Sequence, residues 1–336
     1  MTALWWQRAR ATWRHGRDRW LLGAAALALA ACFLNPGWTM QRSLFEHVIV
    51  LDVTQSMNVT DQQLDGKAVS RLAYAKHALH QSLLQLPCGS KLGWAIFTEH
   101  RSFLLLAPVE VCANLSELRS SLANVGTHMA WSGNSEIAKG LHSAIGIARQ
   151  LPRSPALVFV TDGHEAPPLN PRYRPAFDDK PGEVPGLIVG VGERLPSPIP
   201  KTDPQGRPLG FWGADEVLQT DPRSQGRSGS VAGETMSDDR AGTLAPSLGA
   251  MPGSEHLSGL REQYLRLLAH EQGLAFVHLQ SARALPAALM SPALARRVPA
   301  RVDGRVALAG LALCLLLARH AAPLLRRMRR ALITVA

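Results

Sequence analysis

A short polar segment near residue 52 has the composition of a metal-binding turn. Val48–Leu51 is an apolar run that predicts a buried parallel strand, and Asp52, Thr54 and Ser56 follow it at alternate positions. Ligands of open α/β sheets bind at the carboxyl ends of the strands, where one carboxylate and two hydroxyls would offer hard oxygens to a hard cation. Alternatively, these side chains only cap the following turn and helix.

Two further oxygen donors are expected at the same edge of the sheet. Ser135 precedes a predicted helix, and Asp162 follows the apolar run Ala156–Val160. Two carboxylates and three hydroxyls would leave a bound divalent ion with a high effective positive charge and room for an outside ligand. The predicted chemistry is therefore capture of a carboxylate from another molecule, unless Asp162 only begins an ordinary turn.

Apolar runs and helical periodicities alternate along the chain and predict the sheet that positions these donors. The fold class is α/β, a doubly wound and mostly parallel sheet in which Lys91–Thr98 and Ser102–Val109 form one antiparallel hairpin at an edge. Further strands are predicted at Gly186–Val191 and Leu274–Leu279, and helices at Ala68–Leu86, near Leu115–Leu122, at Ser135–Gln150 and from Leu257 to a stop at Gly273.

Residues 196–253 interrupt this alternation, because 23 of these 58 residues are Pro, Gly or Ser. We interpret them as an insertion. Its first part, Ile199–Phe211, is expected to be ordered, with two short extended runs around the turn signature Asp203-Pro-Gln-Gly206. From Pro222 to Gly253 we expect disorder.

The positive charge of the chain is confined to its two ends. The chain has 36 basic and 26 acidic residues, a net charge of +10, and its ends, residues 1–38 and 305–336, hold 11 of the basic residues and one of the acidic residues. The remaining 25 basic and 25 acidic residues cancel. This distribution argues against nucleic acid as a partner and favours a membrane.

Each basic end borders an apolar segment. Trp20–Leu34 has 15 residues without a charge, and Val306–Leu325 has 20 residues interrupted by Arg319. We expect two transmembrane helices in the inner (cytoplasmic) membrane, within residues 1–38 and 302–336, with both arginine-rich tails in the cytoplasm and residues 39–301 in the periplasm.

Other interpretations of the two apolar segments remain open. The first could be a cleaved signal peptide, or a lipoprotein signal in which Leu29-Ala30-Ala31 precedes a lipidated Cys32. The second could be a buried or interfacial helix.

Cys88 and Cys112 each lie 12 residues from His100, at the tip of the predicted hairpin. They should meet at its open end and form a disulfide in an oxidising compartment. The alternative is two free, buried thiols.

Together, Asp-Val-Thr-Gln-Ser at 52–56, Ser135 and Thr-Asp-Gly at 161–163 resemble the metal-ion-dependent adhesion site of a von Willebrand factor A (VWA) domain. The family pattern is Asp-x-Ser-x-Ser, then Thr, then Asp, so Thr54 and Ser135 depart from it while each keeps a hydroxyl. The resemblance implies Mg²⁺, or Ca²⁺ or Mn²⁺, bound by Asp52, Thr54, Ser56, Ser135 and Asp162.

The anchored arrangement is similar to membrane-anchored bacterial VWA proteins, which occur among accessory proteins of methanol dehydrogenase maturation and among aerotolerance-type proteins. This similarity implies an accessory factor in assembly, maturation or metal loading of a periplasmic complex, through a partner that supplies an acidic residue to the metal. The alternatives are a metal-assisted hydrolase using the same pocket and a structural scaffold of an aerotolerance-type membrane complex.

We expect no enzyme, because the chain has no Gly-x-Ser-x-Gly elbow, no His-Glu-x-x-His and no phosphate-binding Gly-rich loop with Lys. His164 and Glu165 could contact the partner at the rim of the site or belong to a solvated loop. His77 and His80 share a helix face but have no evident third zinc ligand, so a surface position is favoured.

Overall fold

The computed structural model describes residues 19–34, 36–169, 173–203, 205–219, 235–238 and 253–333. They divide into two compact units, one within residues 43–296 and the other within residues 1–42 and 297–336. The helices are α1 over residues 19–32, α2 (Arg71–Leu83), α3 (Leu115–Asn124), α4 (Ile137–Gln150), α5 (Glu262–Gln272), α6 (Ala284–Leu289) and α7 (Arg305–Ile333).

The strands are β1 (Gly37–Asp52), β2 (Gln62–Leu64), β3 (Lys67–Val69), β4 (Lys91–Thr98), β5 (Arg101–Glu110), β6 (Ala156–Thr161), β7 (Tyr173–Ala176), β8 (Gly186–Gly190), β9 (Ser197–Pro198), β10 (Pro200–Thr202), β11 (Pro208–Phe211), β12 (Thr235–Asp238), β13 (Leu257–Ser258), β14 (Ala275–His278) and β15 (Ala295–Asp303).

The central sheet has the strand order β14-β8-β6-β1-β4-β5, and β15 also pairs with β1. Neighbours from β14 to β4 run parallel, whereas β5 is antiparallel to β4 at the edge. The predicted α/β fold with one antiparallel edge hairpin is therefore confirmed. Strand order reverses at β1, which places the carboxyl ends of β1 and β6 side by side at the position where such sheets bind ligands.

Helices cover both faces of this sheet because successive side chains of a strand point to opposite sides. Ile49 and Leu51 of β1 pack in one apolar cluster with α2, α3 and α6. Val48 and Val50 pack in a second cluster with α4 and α5. This burial on both faces explains why β1 reads as a continuous apolar run.

Two helix ends show how local sequence sets the boundaries. Ser70 is the N-cap of α2 and its side chain accepts a hydrogen bond from the Ala73 N–H, so this helix begins three residues later than predicted, after the β2–β3 hairpin. Gly273 ends α5 as predicted, with φ of 66° in the left-handed region.

The β4–β5 hairpin carries a disulfide between Cys88 and Cys112, whose Cα atoms are 5.3 Å apart. Lys91 pairs with Glu110 at the open end of the hairpin, which brings the two flanking cysteines together. The predicted disulfide is confirmed.

The insertion is partly as predicted. β10 and β11 pair antiparallel around Asp203, whose Oδ1 accepts hydrogen bonds from the backbone of Gln205 and Arg207. Most of Pro222–Gly253, where disorder was expected, lies outside the described residues. The described exception is β12 (Thr235–Asp238), which pairs antiparallel with β7, so the expectation of disorder was wrong there because these residues form backbone pairs with Tyr173–Ala176.

The expectation of two transmembrane helices is not supported in the described ranges, where no helix is both long and apolar enough to cross a membrane. α1 has 14 described residues, against about 20 for a span. α7 has 29 residues but contains Arg319 and four later arginines. Ala25 and Ala28 of α1 pack on Ala312 of α7.

Candidate metal site

The two carboxylates of the predicted site lie at the ends of neighbouring strands. Asp52 is the last residue of β1, and Asp162 directly follows β6. The register pairs Leu51 with Val160, so the parallel strands end together. Asp52 and Asp162 are both completely buried. Their burial means that any charge they carry must be balanced within the site.

Hydroxyl groups surround the Asp52 carboxylate. Asp52 Oδ1 accepts hydrogen bonds from the Thr54 hydroxyl at 2.7 Å and the Thr54 N–H at 2.9 Å. Its Oδ2 accepts from the Thr161 hydroxyl at 2.6 Å. The spacing of two residues between Asp52 and Thr54 thus lets the Thr54 N–H and hydroxyl reach the Asp52 carboxylate, as in an Asx turn.

Ser56 joins this group to Asp162. The Ser56 hydroxyl donates to Asp162 Oδ1 at 3.1 Å and lies 3.4 Å from the Thr54 hydroxyl oxygen. The backbone N–H of His164 also donates to Asp162 Oδ1, at 2.9 Å. Residues separated by more than 100 positions in sequence therefore form one cluster of oxygens.

Ser135 lies in the loop before α4 and faces the same cavity as Thr54 and Ser56. Its backbone exchanges two hydrogen bonds with Ala166, at 2.6 and 2.8 Å, which fixes it beside the loop that follows β6. The Ser135 hydroxyl is buried and has no hydrogen-bond partner within the described ranges. A buried polar atom of this kind requires a ligand, a water or an ion.

The donor set fits a hard divalent cation. A hydroxyl has one proton and two lone pairs, so Thr54 and Ser56 can donate to the carboxylates and still present oxygen to a cation. The unpaired hydroxyl of Ser135 completes the set with the same chemistry. Asp52, Thr54, Ser56, Ser135 and Asp162 would hold the ion, and all five are oxygen ligands of the kind Mg²⁺ and Ca²⁺ prefer.

The two carboxylates differ in their proton affinity. Burial and the neighbouring Asp162 raise the pKa of Asp52 to about 7. Burial has the largest single effect on Asp162 and alone would raise its pKa, but the Arg71 guanidinium, together with His164 and a hydrogen bond from Ser56, holds that pKa below its ordinary value. A divalent cation would provide Asp52 with the positive charge that Arg71 provides to Asp162.

Arg71 is the component of the site that sequence patterns missed. It is completely buried, and its Nη1 lies 2.5 Å from Asp162 Oδ2 while its Nη2 lies 2.6 Å from Asp61 Oδ2. Nη1 also donates to the Ser258 hydroxyl at 2.7 Å, and that hydroxyl donates to Asp162 Oδ2 at 3.0 Å. One oxygen of Asp162 is thereby committed to Arg71 and Ser258.

Gly192 makes room for Arg71. A Cβ atom at this position would lie 2.6 Å from Arg71 Nε, and its φ of 122° disfavours other residues. In the segment Gly190-Val-Gly192, Gly190 therefore ends β8 and Gly192 leaves space for the buried Arg71 guanidinium. The sequence signal for Arg71 was only a basic residue directly after a helix cap.

The cavity over the donors measures about 190 Å³ and is partly walled by the insertion. Trp212 of the insertion lines the cavity, and its Nε1 donates a hydrogen bond to Oε1 of Gln55, which lies inside the Asp-x-Thr-x-Ser segment. The backbone N–H of Trp212 donates to the Ile199 carbonyl at 3.1 Å. Sequence patterns gave no indication that the insertion folds over the site.

His164 and Glu165 line this cavity, but both are buried rather than placed at an exposed rim. Burial lowers the pKa of His164 to about 4, so the imidazole is neutral at physiological pH. Glu165 Oε1 accepts from the Tyr264 hydroxyl at 2.6 Å and from the Ala138 N–H at 3.3 Å. These contacts give Glu165 a role in packing, and partner contact by either residue stays a prediction.

The histidines of α2 do not form a metal site in the described part of the chain. The His77 Nε2 atom lies 2.8 Å from the amide nitrogen of Gln81, one turn later. Neither His77 nor His80 belongs to a group of three metal-ligating side chains among the described residues.

Comparisons with known proteins agree with the fold. Residues 47–164 match the family described as VWA_2, von Willebrand factor type A domain. No curated protein matches the chain. Among solved structures, "an aerotolerance-related membrane protein from Bacteroides fragilis NCTC 9343 with multiple mutations to serines" is similar at 17% identity and a TM-score of 0.46, covering 73% of this chain and 96% of that one.

Two further solved structures show weaker similarity to the chain. The "von Willebrand factor type A from Catenulispora acidiphila" has 12% identity and a TM-score of 0.37, over 75% of this chain and 42% of that one. An "Uncharacterized Membrane Spanning Protein from Vibrio fischeri" has 16% identity and a TM-score of 0.27, over 72% and 95%. These likenesses are too low to carry a functional argument. Residues 47–164 of the chain thus match the von Willebrand factor type A domain family, and they include Asp52, Thr54, Ser56, Ser135 and Asp162.

Proposed function

We propose that this domain binds a protein partner through a divalent cation held by Asp52, Thr54, Ser56, Ser135 and Asp162. The cation, Mg²⁺ or alternatively Ca²⁺ or Mn²⁺, would use its remaining coordination position for an acidic residue of the partner. The observation that carries the proposal is the buried Ser135 hydroxyl, which lines the cavity with Thr54 and Ser56 and has no partner among the described residues. The domain acts by binding and not by catalysis.

The cellular setting is proposed to be the periplasmic side of a bacterial inner membrane. The Cys88–Cys112 disulfide supports an oxidising compartment. Attachment to the membrane is supported by the terminal unit, where Trp20, Phe33, Leu34 and Val306 are more than three-quarters exposed. Flotation of the purified chain with phospholipid vesicles tests this attachment, and protein remaining at the bottom of the gradient would contradict it.

The specific form of the proposal is an accessory factor in assembly, maturation or metal loading of a periplasmic complex such as a methanol dehydrogenase. It rests on the resemblance of the Asp-x-Thr-x-Ser segment and its apolar flanks to accessory proteins of that kind. A scaffold of an aerotolerance-type membrane complex is the second form, and it would use the same metal-bridged contact.

Capture of the partner by the tethered full-length protein tests the proposal. We expect a partner retained in Mg²⁺ to be released by a chelator and to be lost with Asp52→Asn, which removes one carboxylate charge from the site. Asp65→Asn is the matched control, because Asp65 is exposed in the β2–β3 turn and its φ of 49° suits asparagine. Retention that survives both the chelator and Asp52→Asn would refute a metal-bridged contact.

A further inference from the structure

The cavity over the metal donors has two walls of different origin. One wall is the VWA core, with Thr54, Ser56 and Ser135. The other comes from residues 199–218 and from Glu255, just before β13. At about 190 Å³ the cavity is smaller than the roughly 300–1,000 Å³ of small-molecule sites. Three acidic side chains line it, namely Glu165, Glu216 and Glu255, and of these Glu165 accepts from Tyr264 while Glu216 pairs with Lys201 and accepts from the Gly213 N–H.

Glu255 is a buried carboxylate in this second wall. It is 5% exposed, and its Oε2 lies 3.7 Å from Arg261 Nη2, beyond hydrogen-bond length. Burial raises the pKa of Glu255 against the opposing effect of Arg261. A buried acid whose cationic neighbour stands at this distance is poorly stabilised as an anion by that neighbour alone.

The segment that carries Glu255 is attached to the metal site. Three residues later, Ser258 donates its hydroxyl proton to Asp162 Oδ2 at 3.0 Å, and its carbonyl accepts from Arg71 Nη2 at 2.8 Å. The Glu255 N–H donates to Gln219 Oε1 at 3.3 Å, which joins it to the insertion. Glu255 thus lines the same cavity as Thr54, Ser56 and Ser135, on a segment that is tied both to Asp162 and to the insertion.

If all five donors held a six-coordinate cation, one of its positions would be left open. We propose that Glu255 is the chain's own sixth donor to this cation, occupying the position of the partner's carboxylate until the partner displaces it. This inference rests on the proposed function. In the free protein the chain would then supply all six donors to the cation. A partner would have to displace the Glu255 carboxylate with its own carboxylate in order to bind.

Calorimetric titration of the full-length protein with Mn²⁺ alone tests the inference without a partner. We expect Glu255→Gln to weaken Mn²⁺ binding about tenfold or more, because ligand charge sets the affinity of such sites. Glu255→Asp should give an intermediate affinity. Glu46→Gln is the matched control, since Glu46 pairs with Arg153 at a similar 3.6 Å but lies six residues before Asp52 on β1, roughly 20 Å away along the strand.

The outcomes separate the inference from the proposed function. If Asp52→Asn removes Mn²⁺ binding and Glu255→Gln leaves it unchanged, the metal site stands and the role of Glu255 is overturned. A wild-type protein that does not bind Mn²⁺ overturns both. Equal weakening by Glu46→Gln and Glu255→Gln would show a general charge effect and would also overturn the inference.

Discussion

Replacing Arg71 with methionine should destabilise the metal-free protein strongly. The substitution keeps an unbranched, largely apolar side chain but removes the cation between Asp162 and Asp61, which are 0% and 7% exposed. Removing one partner of a buried ion pair costs about 3 to 5 kcal/mol, because the remaining charge stays buried without compensation. Hydrogen bonds from Ser56 and His164 to Asp162 remain, which places the expected loss near the lower end of that range.

Mg²⁺ should offset part of this loss. A cation beside Asp162 supplies positive charge to the carboxylate that Arg71 has left, and a ligand that binds only the folded state raises the free energy of unfolding. Urea unfolding with and without Mg²⁺ measures both effects, with a larger Mg²⁺-dependent gain for Arg71→Met than for the wild type.

The control for Arg71→Met is Arg266→Met. Arg266 is 58% exposed and pairs with Glu262 at 2.7 Å on the surface of α5, where such a pair contributes about 1 kcal/mol or less. A role for Arg71 in balancing the buried charge of Asp162 is refuted if Arg71→Met lowers the free energy of unfolding no more than Arg266→Met does. It is also refuted if Mg²⁺ stabilises Arg71→Met no more than the wild type.

Three further predictions concern the stability of the VWA domain. Burial lowers the pKa of His47 from 6.5 to about 4, so the unfolded chain binds a proton at higher pH than the folded chain does. The free energy of unfolding should therefore fall by up to about 3 kcal/mol as the pH drops from about 6.5 to about 4. Urea titrations should show this pH-dependent loss in the wild type and not in His47→Leu. Replacing Cys88 and Cys112 with serine opens a loop with a sequence separation of 24 and should cost about 3 kcal/mol in the same assay, and an unchanged unfolding midpoint would contradict this. Gly140→Ala should lower the free energy of unfolding by about 1 to 3 kcal/mol, because its Cβ would lie 2.1 Å from Phe97. Gly146→Ala on the same helix has open space around its Cβ and should not destabilise the fold. Equal costs for the two substitutions would count against the packing argument.

Local patterns in the sequence were sufficient for the sheet and for the carboxylates at its edge. The buried runs before Asp52 and Asp162 identify neighbouring parallel strands, and parallel strands end at one edge by geometry alone. The hairpin also follows from local information, since a short turn fixes the register that brings Cys88 and Cys112 together.

The surroundings of the donors were not predictable in this way. Arginine is usually exposed, so nothing in the α2 pattern indicates that Arg71 is buried between two aspartates. The contact of Trp212 with Gln55 joins residues 157 positions apart in a segment without periodicity. His164 and Glu165 follow a strand end in sequence, and only the packing of Tyr264 and the insertion shows that they are buried.

Location of the cation in crystals of the full-length protein grown with Mn²⁺ tests the central claim most directly. We expect an anomalous-scattering peak in the cavity, with oxygens of Thr54, Ser56 and Ser135 at about 2.0 to 2.6 Å, the range of Mg²⁺ and Ca²⁺ sites. We also expect that the peak is absent from crystals of Asp52→Asn. A cavity without a peak, or a peak elsewhere that persists in Asp52→Asn, would contradict a metal-dependent binding site in this domain.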